Sequence, residues 1–109
     1  RIAMPARLNH LEFLTLLALA RLGDDANASS VRADIATIGG RRASVAGVYA
    51  ALDRLVALRL ARSWLTDPRP EPGGRARRHY HLMPAGLSWL QREHSRTTAL
   101  WRGVPTAGR

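Results

Sequence analysis

The chain has 109 residues, a length for one domain with a modest core and no need of staples. It has no cysteine, so disulfides and thiolate metal sites are excluded, and no apolar run long enough to span a bilayer. Seventeen basic residues, all arginine, stand against eight acidic ones, a formal net charge of +9.

Residues 1–7 read as an arm. "NHLEFLTLLALARLG" then predicts a helix over about 9–22, with Asn9 and Glu12 at capping-box spacing and Gly23 as its stop. This helix is apolar nearly all round, with Leu11, Phe13, Leu14, Leu16, Leu17 and Leu19. Such a helix needs covering on more than one face, so both the core and a partner subunit are expected against it. A second helix is expected over about 29–38, burying Val31, Ile35 and Ile38, before Gly39-Gly40 ends it. In "RRASVAGVYAALDRLVALRLA", Ser44 is the natural N-cap of a third helix. Val45, Val48, Leu52 and Leu55 recur at helical spacing and are expected inward, which places Ala46, Tyr49, Ala50 and Asp53 on the opposite side.

"ARSWLTD" and "ARRHYHLM" read as two strands, joined by the proline- and glycine-rich "PRPEPGGR". Period two puts Arg78, Tyr80 and Leu82 on an inward face and Arg77, His79 and His81 on the other. Pro84 opens a last helix to about residue 101, with Leu87, Trp89, Leu90, Leu100 and Trp101, followed by a tail. Three helices, a hairpin and a helix make the expected class mainly α with a small β-hairpin: a winged helix-turn-helix over 8–82, a C-terminal dimerisation helix over 83–102 and a tail over 103–109. In that arrangement the third helix enters the DNA major groove and the hairpin wing lies on the flanking backbone.

Charge placement agrees with a polyanion partner. Residues 8–38 hold Arg21 and Arg32 against Glu12, Asp24, Asp25 and Asp34, a net −2. Residues 39–109 hold thirteen arginines against Asp53, Asp67, Glu71 and Glu93, a net +9. A positive field concentrated in one part of a chain is the footprint of nucleic acid. A solvated arginine-rich surface is the plain alternative.

The ordered set "LEFLTLLALARLG", Val48-Tyr49…Leu52-Asp53-Arg54-Leu55, Asp67-Pro68…Gly73-Gly74-Arg75, Tyr80-His81-Leu82 and Pro84…Gly86 resembles the PadR family of bacterial transcriptional regulators, over roughly residues 8–90. The resemblance implies a homodimeric bacterial repressor dimerised through its C-terminal helix. With no signal-peptide shape at the N-terminus and no membrane span, the cytoplasm is the expected location, with nucleoid association through DNA. One short last helix is similar to the smaller subfamily. Four positions depart from the family pattern. Arg59 stands for a Gly between the third helix and first strand, and Met83 for the Thr that caps the last helix. Asn27-Ala28 replaces a Tyr-Gly pair, and Leu65 takes the place of the first strand's Trp, with Trp64 pointing to the other face.

The expected DNA contacts follow from these elements. Arg41 and Arg42 precede a helix N-terminus, where free N–H groups and the dipole favour phosphate. Ser44, Ala46, Gly47 and Ala50 face the bases with few polar readers, so shape readout is expected to be substantial. The resemblance implies that Tyr49 donates its hydroxyl to a phosphate; packing on the second helix is its other reading. Gly74 permits a tight turn at the wing tip, and Arg75 and Arg77 can reach phosphates or a minor groove. His79 and His81 share a strand face, but His10 and His94 complete no metal spacing, so no metal and no cofactor are expected. No lysine follows the glycines and no nucleophile–base set assembles from four histidines, so no enzyme is expected.

Leu11, Phe13, Leu14, Trp89, Leu90, His94, Thr97 and Trp101 form the expected dimer and effector group. The tryptophans offer stacking faces for a small aromatic or apolar effector, as in some relatives, or simply pack the dimer. The reading is a dimer on a pseudo-palindromic operator, with RNA or non-specific DNA binding, or a protein-interaction role, as alternatives.

Overall fold

The structure, a computed structural model, describes residues 6–66 and 77–106. The elements run α1 (His10–Leu22), a 3-10 turn (Gly23–Asp25), α2 (Ala28–Gly39), α3 (Val45–Ala57), β1 (Ala61–Leu65), β2 (Arg78–Leu82) and α4 (Pro84–Leu100). No helix among the described residues is long and apolar enough to cross a membrane.

Local chemistry sets the helix starts. The Asn9 side chain accepts from the Glu12 amide at 2.8 Å, and the Glu12 carboxylate accepts from the Asn9 amide at 2.9 Å. The same reciprocal box forms at Asn27 and Ser30, both bonds 2.9 Å, so α2 begins one residue before the expected 29. Four otherwise orphaned donors are satisfied in this way. Ser44 caps α3 by accepting from the Gly47 amide at 2.9 Å. Met83 offers no side-chain cap to α4, and Pro84 begins that helix instead.

Leu16, Leu19, Val31, Ile35, Val48, Leu52, Leu55 and Tyr80 form the centre of the core, all essentially inaccessible to solvent. Two polar residues are buried with them. Thr15 returns its hydroxyl to the Leu11 carbonyl at 2.7 Å. Glu12 accepts the Asn9 amide and also meets the Arg54 Nε at 3.1 Å, so its charge is matched across α1 and α3. A buried carboxylate left alone would cost several kcal/mol, roughly.

Two expectations fail at helix ends. Ile38 is 64% exposed and Val45 51% exposed, although both lie on the angular stripe of their helices. Ile38 stands in the last turn of α2 and Val45 is the first residue of α3, so both extend past the end of the core along their axes. Ala51 instead joins the buried face of α3.

The strands pair antiparallel, with Ala61 opposite Leu82, Ser63 opposite Tyr80 and Leu65 opposite Arg78. Tyr80 is buried as period two requires, and its amide donates to the Ala26 carbonyl at 3.0 Å, which ties the hairpin to the turn before α2. On the other face Trp64 stacks on His79 with centroids 5.7 Å apart, and the Arg62 guanidinium lies 4.7 Å from the Trp64 ring.

The join from α3 to β1 is a left-handed cap. Arg59 has φ +62°, its amide donates to Val56 and that of Leu60 donates to Leu55, each at 3.0 Å. This is a Schellman motif carrying arginine where glycine is usual. The next join is tight. The Met83 amide donates to the Leu60 carbonyl at 2.9 Å, and Gly86 packs so closely there that an added Cβ would lie 2.2 Å from that same oxygen. Only glycine lets α4 approach the hairpin base at this distance.

Candidate nucleic-acid interface

The exposed side of α3 carries Ala46, Tyr49, Ala50 and Asp53, as the helical period requires. Gly47 is partly covered, with the Leu11 side chain 3.5 Å from where its Cβ would sit. The exposed surface of α3 is therefore smooth near the helix N-terminus and bears a phenol one turn further on. Tyr49 is 44% exposed and borders an open groove between α2 and α3.

Arg41 and Arg42 are exposed just before the Ser44 cap, and neither forms an ion pair with a described carboxylate. Other arginines are neutralised locally. Arg21 pairs with Asp34, Arg54 with Glu12, and Arg96 with Glu93 at 2.6 Å. The Arg96 hydrogen bonds hold the Glu93 carboxyl below its usual range. Positive charge is thus left unmatched at the entry to α3.

The wing is placed beside α3 by the pairing of β1 with β2. Arg77 closes its described part: its amide donates to the Thr66 hydroxyl at 3.1 Å and its carbonyl accepts the Thr66 amide at 2.9 Å. Its side chain is exposed. Gly74 and Arg75 lie outside the described residues. His79 and His81 are engaged with Trp64, and the His81 ring also stands 3.3 Å from an Asp24 carboxylate oxygen. Among the described residues no three His, Asp or Glu side chains come together as a metal site.

The expected dimer and effector group separates into parts. Phe13 meets Trp89 at 6.0 Å between ring centroids, and Leu90 is buried in the core. Leu11 and Leu14 turn toward Gly47 of α3 and Gly39 of α2, within the protomer. The Trp89 indole N–H donates to the Ala6 carbonyl at 2.7 Å, which holds the end of the arm over α4. His94 is exposed, and the Thr97 hydroxyl approaches Glu93 at 3.4 Å. Trp101 is 59% exposed, beside exposed Leu100 and Val104. The two tryptophans are twelve positions apart in sequence, about 18 Å along the helix axis, so one protomer cannot bring both to one ligand.

Sequence reading missed Arg32, whose Nε donates to the Ala43 carbonyl at 2.7 Å across the helix-turn-helix. The contact spans eleven residues, from α2 to the turn before α3, and no local spacing announces it. The Arg62–Trp64–His79 stack was legible only in part, from the face assignment of Trp64.

No family model matches the sequence, and no curated protein sequence matches it. Solved structures do. The chain is similar to a PadR family transcription regulator from Clostridium difficile, with TM-score 0.70 at 18% identity, covering 86% of this chain and 93% of that one. It is also similar to a PadR-like transcription factor from Bacteroides fragilis, with TM-score 0.68 at 20% identity and coverage of 86% and 88%. A third likeness is to Bordetella bronchiseptica BpsR, with TM-score 0.61 at 21% identity and coverage of 92% and 70%. That structure concerns regulation of BpsR's DNA binding by 6-hydroxynicotinic acid. The fold is PadR-like, a winged helix with four helices and a two-stranded hairpin.

Proposed function

We propose that this chain is a dimeric, sequence-specific DNA-binding regulator that represses transcription and is relieved by a small apolar or aromatic effector. The observation that carries DNA binding is the pairing of an unmatched Arg41-Arg42 with the capped, exposed N-terminus of α3 and its outward Tyr49. Helix N-terminus, guanidinium and phenol all favour phosphate. Ser44, Ala46, Gly47 and Ala50 then face the bases, and Arg77, with Gly74 and Arg75 of the wing, meets the flanking backbone. The likeness to transcription regulators supports this reading.

A homodimer is supported by the apolar residues that α4 leaves uncovered: Leu87, Leu100 and Trp101. Trp89 of this helix meets Phe13 of α1, and a second copy would lay His94, Thr97 and Trp101 against its own. Two recognition helices related by a two-fold would meet half-sites about 34–36 Å apart. An effector bound between the helices would change that separation and weaken binding.

Salt dependence tests the central claim. Duplex affinity should fall steeply with salt, and Tyr49→Phe and Arg42→Ala should each weaken binding to a duplex enriched from a random pool. Wild-type protein that shows no salt-dependent duplex binding overturns the reading. Indole fluorescence tests the effector: a compound that releases DNA should also change tryptophan emission.

A further inference from the structure

The helix-turn-helix has one side-chain tie at its turn. Between Gly40 and Ser44 the backbone is held weakly, the Arg41 amide reaching the Ile35 carbonyl only at 3.4 Å. Across this turn the Arg32 Nε donates to the carbonyl of Ala43, the residue just before the α3 N-cap, at 2.7 Å. A guanidinium has five N–H donors in a planar fork, and this bond uses one. The terminal amines of Arg32 form no ion pair and no hydrogen bond with a described residue.

Arg32 borders the groove between α2 and α3, about 510 Å³ in volume. Its apolar walls are short side chains, among them Ala33, Ala36 and Ala43, and its other polar residues are Ser29, Arg42 and Tyr49. Small walls leave room for a tetrahedral anion to approach, and two guanidinium groups and a phenol can surround it. The groove opens beside the N-terminus of α3, where DNA backbone would pass. A guanidinium fork matches phosphate geometry better than an ammonium does.

We propose that Arg32 is a positioning residue for α3 and that its terminal amines, with Arg42 and Tyr49, seat one DNA backbone phosphate in the α2–α3 groove. One side chain then joins two tasks. Its Nε fixes where the recognition helix begins, and its amines fix that helix to the DNA backbone. The inference rests on the DNA-binding reading above.

Two substitutions separate the tasks. In Arg32→Gln the amide nitrogen takes the place of Nε, so the tie to Ala43 can persist while charge and terminal amines are lost. Arg32→Met matches the length of that glutamine but can make neither contact. The probes are a duplex enriched by the wild-type protein from a random 30-base-pair pool, and the unselected pool itself. Binding is measured across roughly 50–200 mM NaCl, with helicity and melting checked for each variant.

Arg32→Gln is expected to lower the salt slope by about 0.9 per bound protomer while the ratio of selected to unselected affinity is kept. Arg32→Met is expected to show the same slope and a ratio reduced about fivefold or more, the worth of one base contact. A wild-type slope in Arg32→Gln overturns the phosphate seat. A wild-type ratio in Arg32→Met overturns the positioning role. Failure of the DNA-binding reading itself shows earlier and separately, as wild-type protein with no salt-dependent binding.

Discussion

Gly86→Ala probes the tightest contact in the fold. An alanine Cβ would sit 2.2 Å from the Leu60 carbonyl oxygen and 2.8 Å from Leu82 Cδ1. An ordinary carbon–oxygen contact is about 3.3 Å, so the first turn of α4 must retreat by about 1 Å. The first obstacle is backbone and cannot rotate away. Overpacking of this kind costs about 1–3 kcal/mol. Retreat also stretches the 2.9 Å bond from the Met83 amide to the same oxygen, a further loss of about 1 kcal/mol. Alanine's better helix propensity returns about 1 kcal/mol. The net expectation is a loss of about 2 kcal/mol, or roughly 8 °C in melting temperature for a domain of this size. Urea and thermal unfolding followed by circular dichroism measure it. Gly39→Ala is the control, because there the nearest atom is 3.6 Å from the added Cβ and the residue ends a helix. If Gly86→Ala melts at or above the wild type, the close approach of α4 to the hairpin base is misjudged.

Arg59→Gly should stabilise the protein by about 0.5–1 kcal/mol, since φ +62° strains any L side chain, and equilibrium urea unfolding should show a higher midpoint. Tyr80→Phe should also stabilise, by about 1 kcal/mol, because the buried hydroxyl has no hydrogen-bond partner among the described residues. Burial, then the Asp53 charge, raises the Tyr80 pKa. Above about pH 10 the unfolded chain therefore releases this proton before the folded one does, so stability should fall as pH rises through that range, and less so in Tyr80→Phe. The chain has no lysine and no cysteine, so few other groups change charge in that range. Trp101→Ala should leave the melting of dilute protein nearly unchanged and weaken self-association in sedimentation, because the indole is exposed in the protomer.

Helix starts were legible because their causes are local. Asn9 with Glu12, and Ser44 before a helical repeat, are satisfied within three residues of sequence, and the structure shows those bonds. The strand faces were legible in part: alternation puts Tyr80 in the core and Trp64 on the opposite face, but Arg78, expected inward with Tyr80, is exposed, as is Leu65 opposite it at the far end of the hairpin. Ile38 and Val45 show the limit of such reasoning. Periodicity gives the angle of a residue around its helix axis, but not whether the core extends that far along the axis.

The sequence by itself determined the order of elements, their caps and the side of α3 that stays exposed, because each depends on chemistry within one or two turns. It also placed the excess of arginine after residue 39. Only the tertiary structure decided which arginines remain unmatched, because Arg21–Asp34 and Arg54–Glu12 join residues far apart in sequence. It likewise set Gly86 against the Leu60 carbonyl and carried Arg32 across the turn to Ala43. These contacts depend on how two helices cross, or on how a helix meets a strand end. That geometry is fixed when the whole core packs, and no short window of sequence contains it.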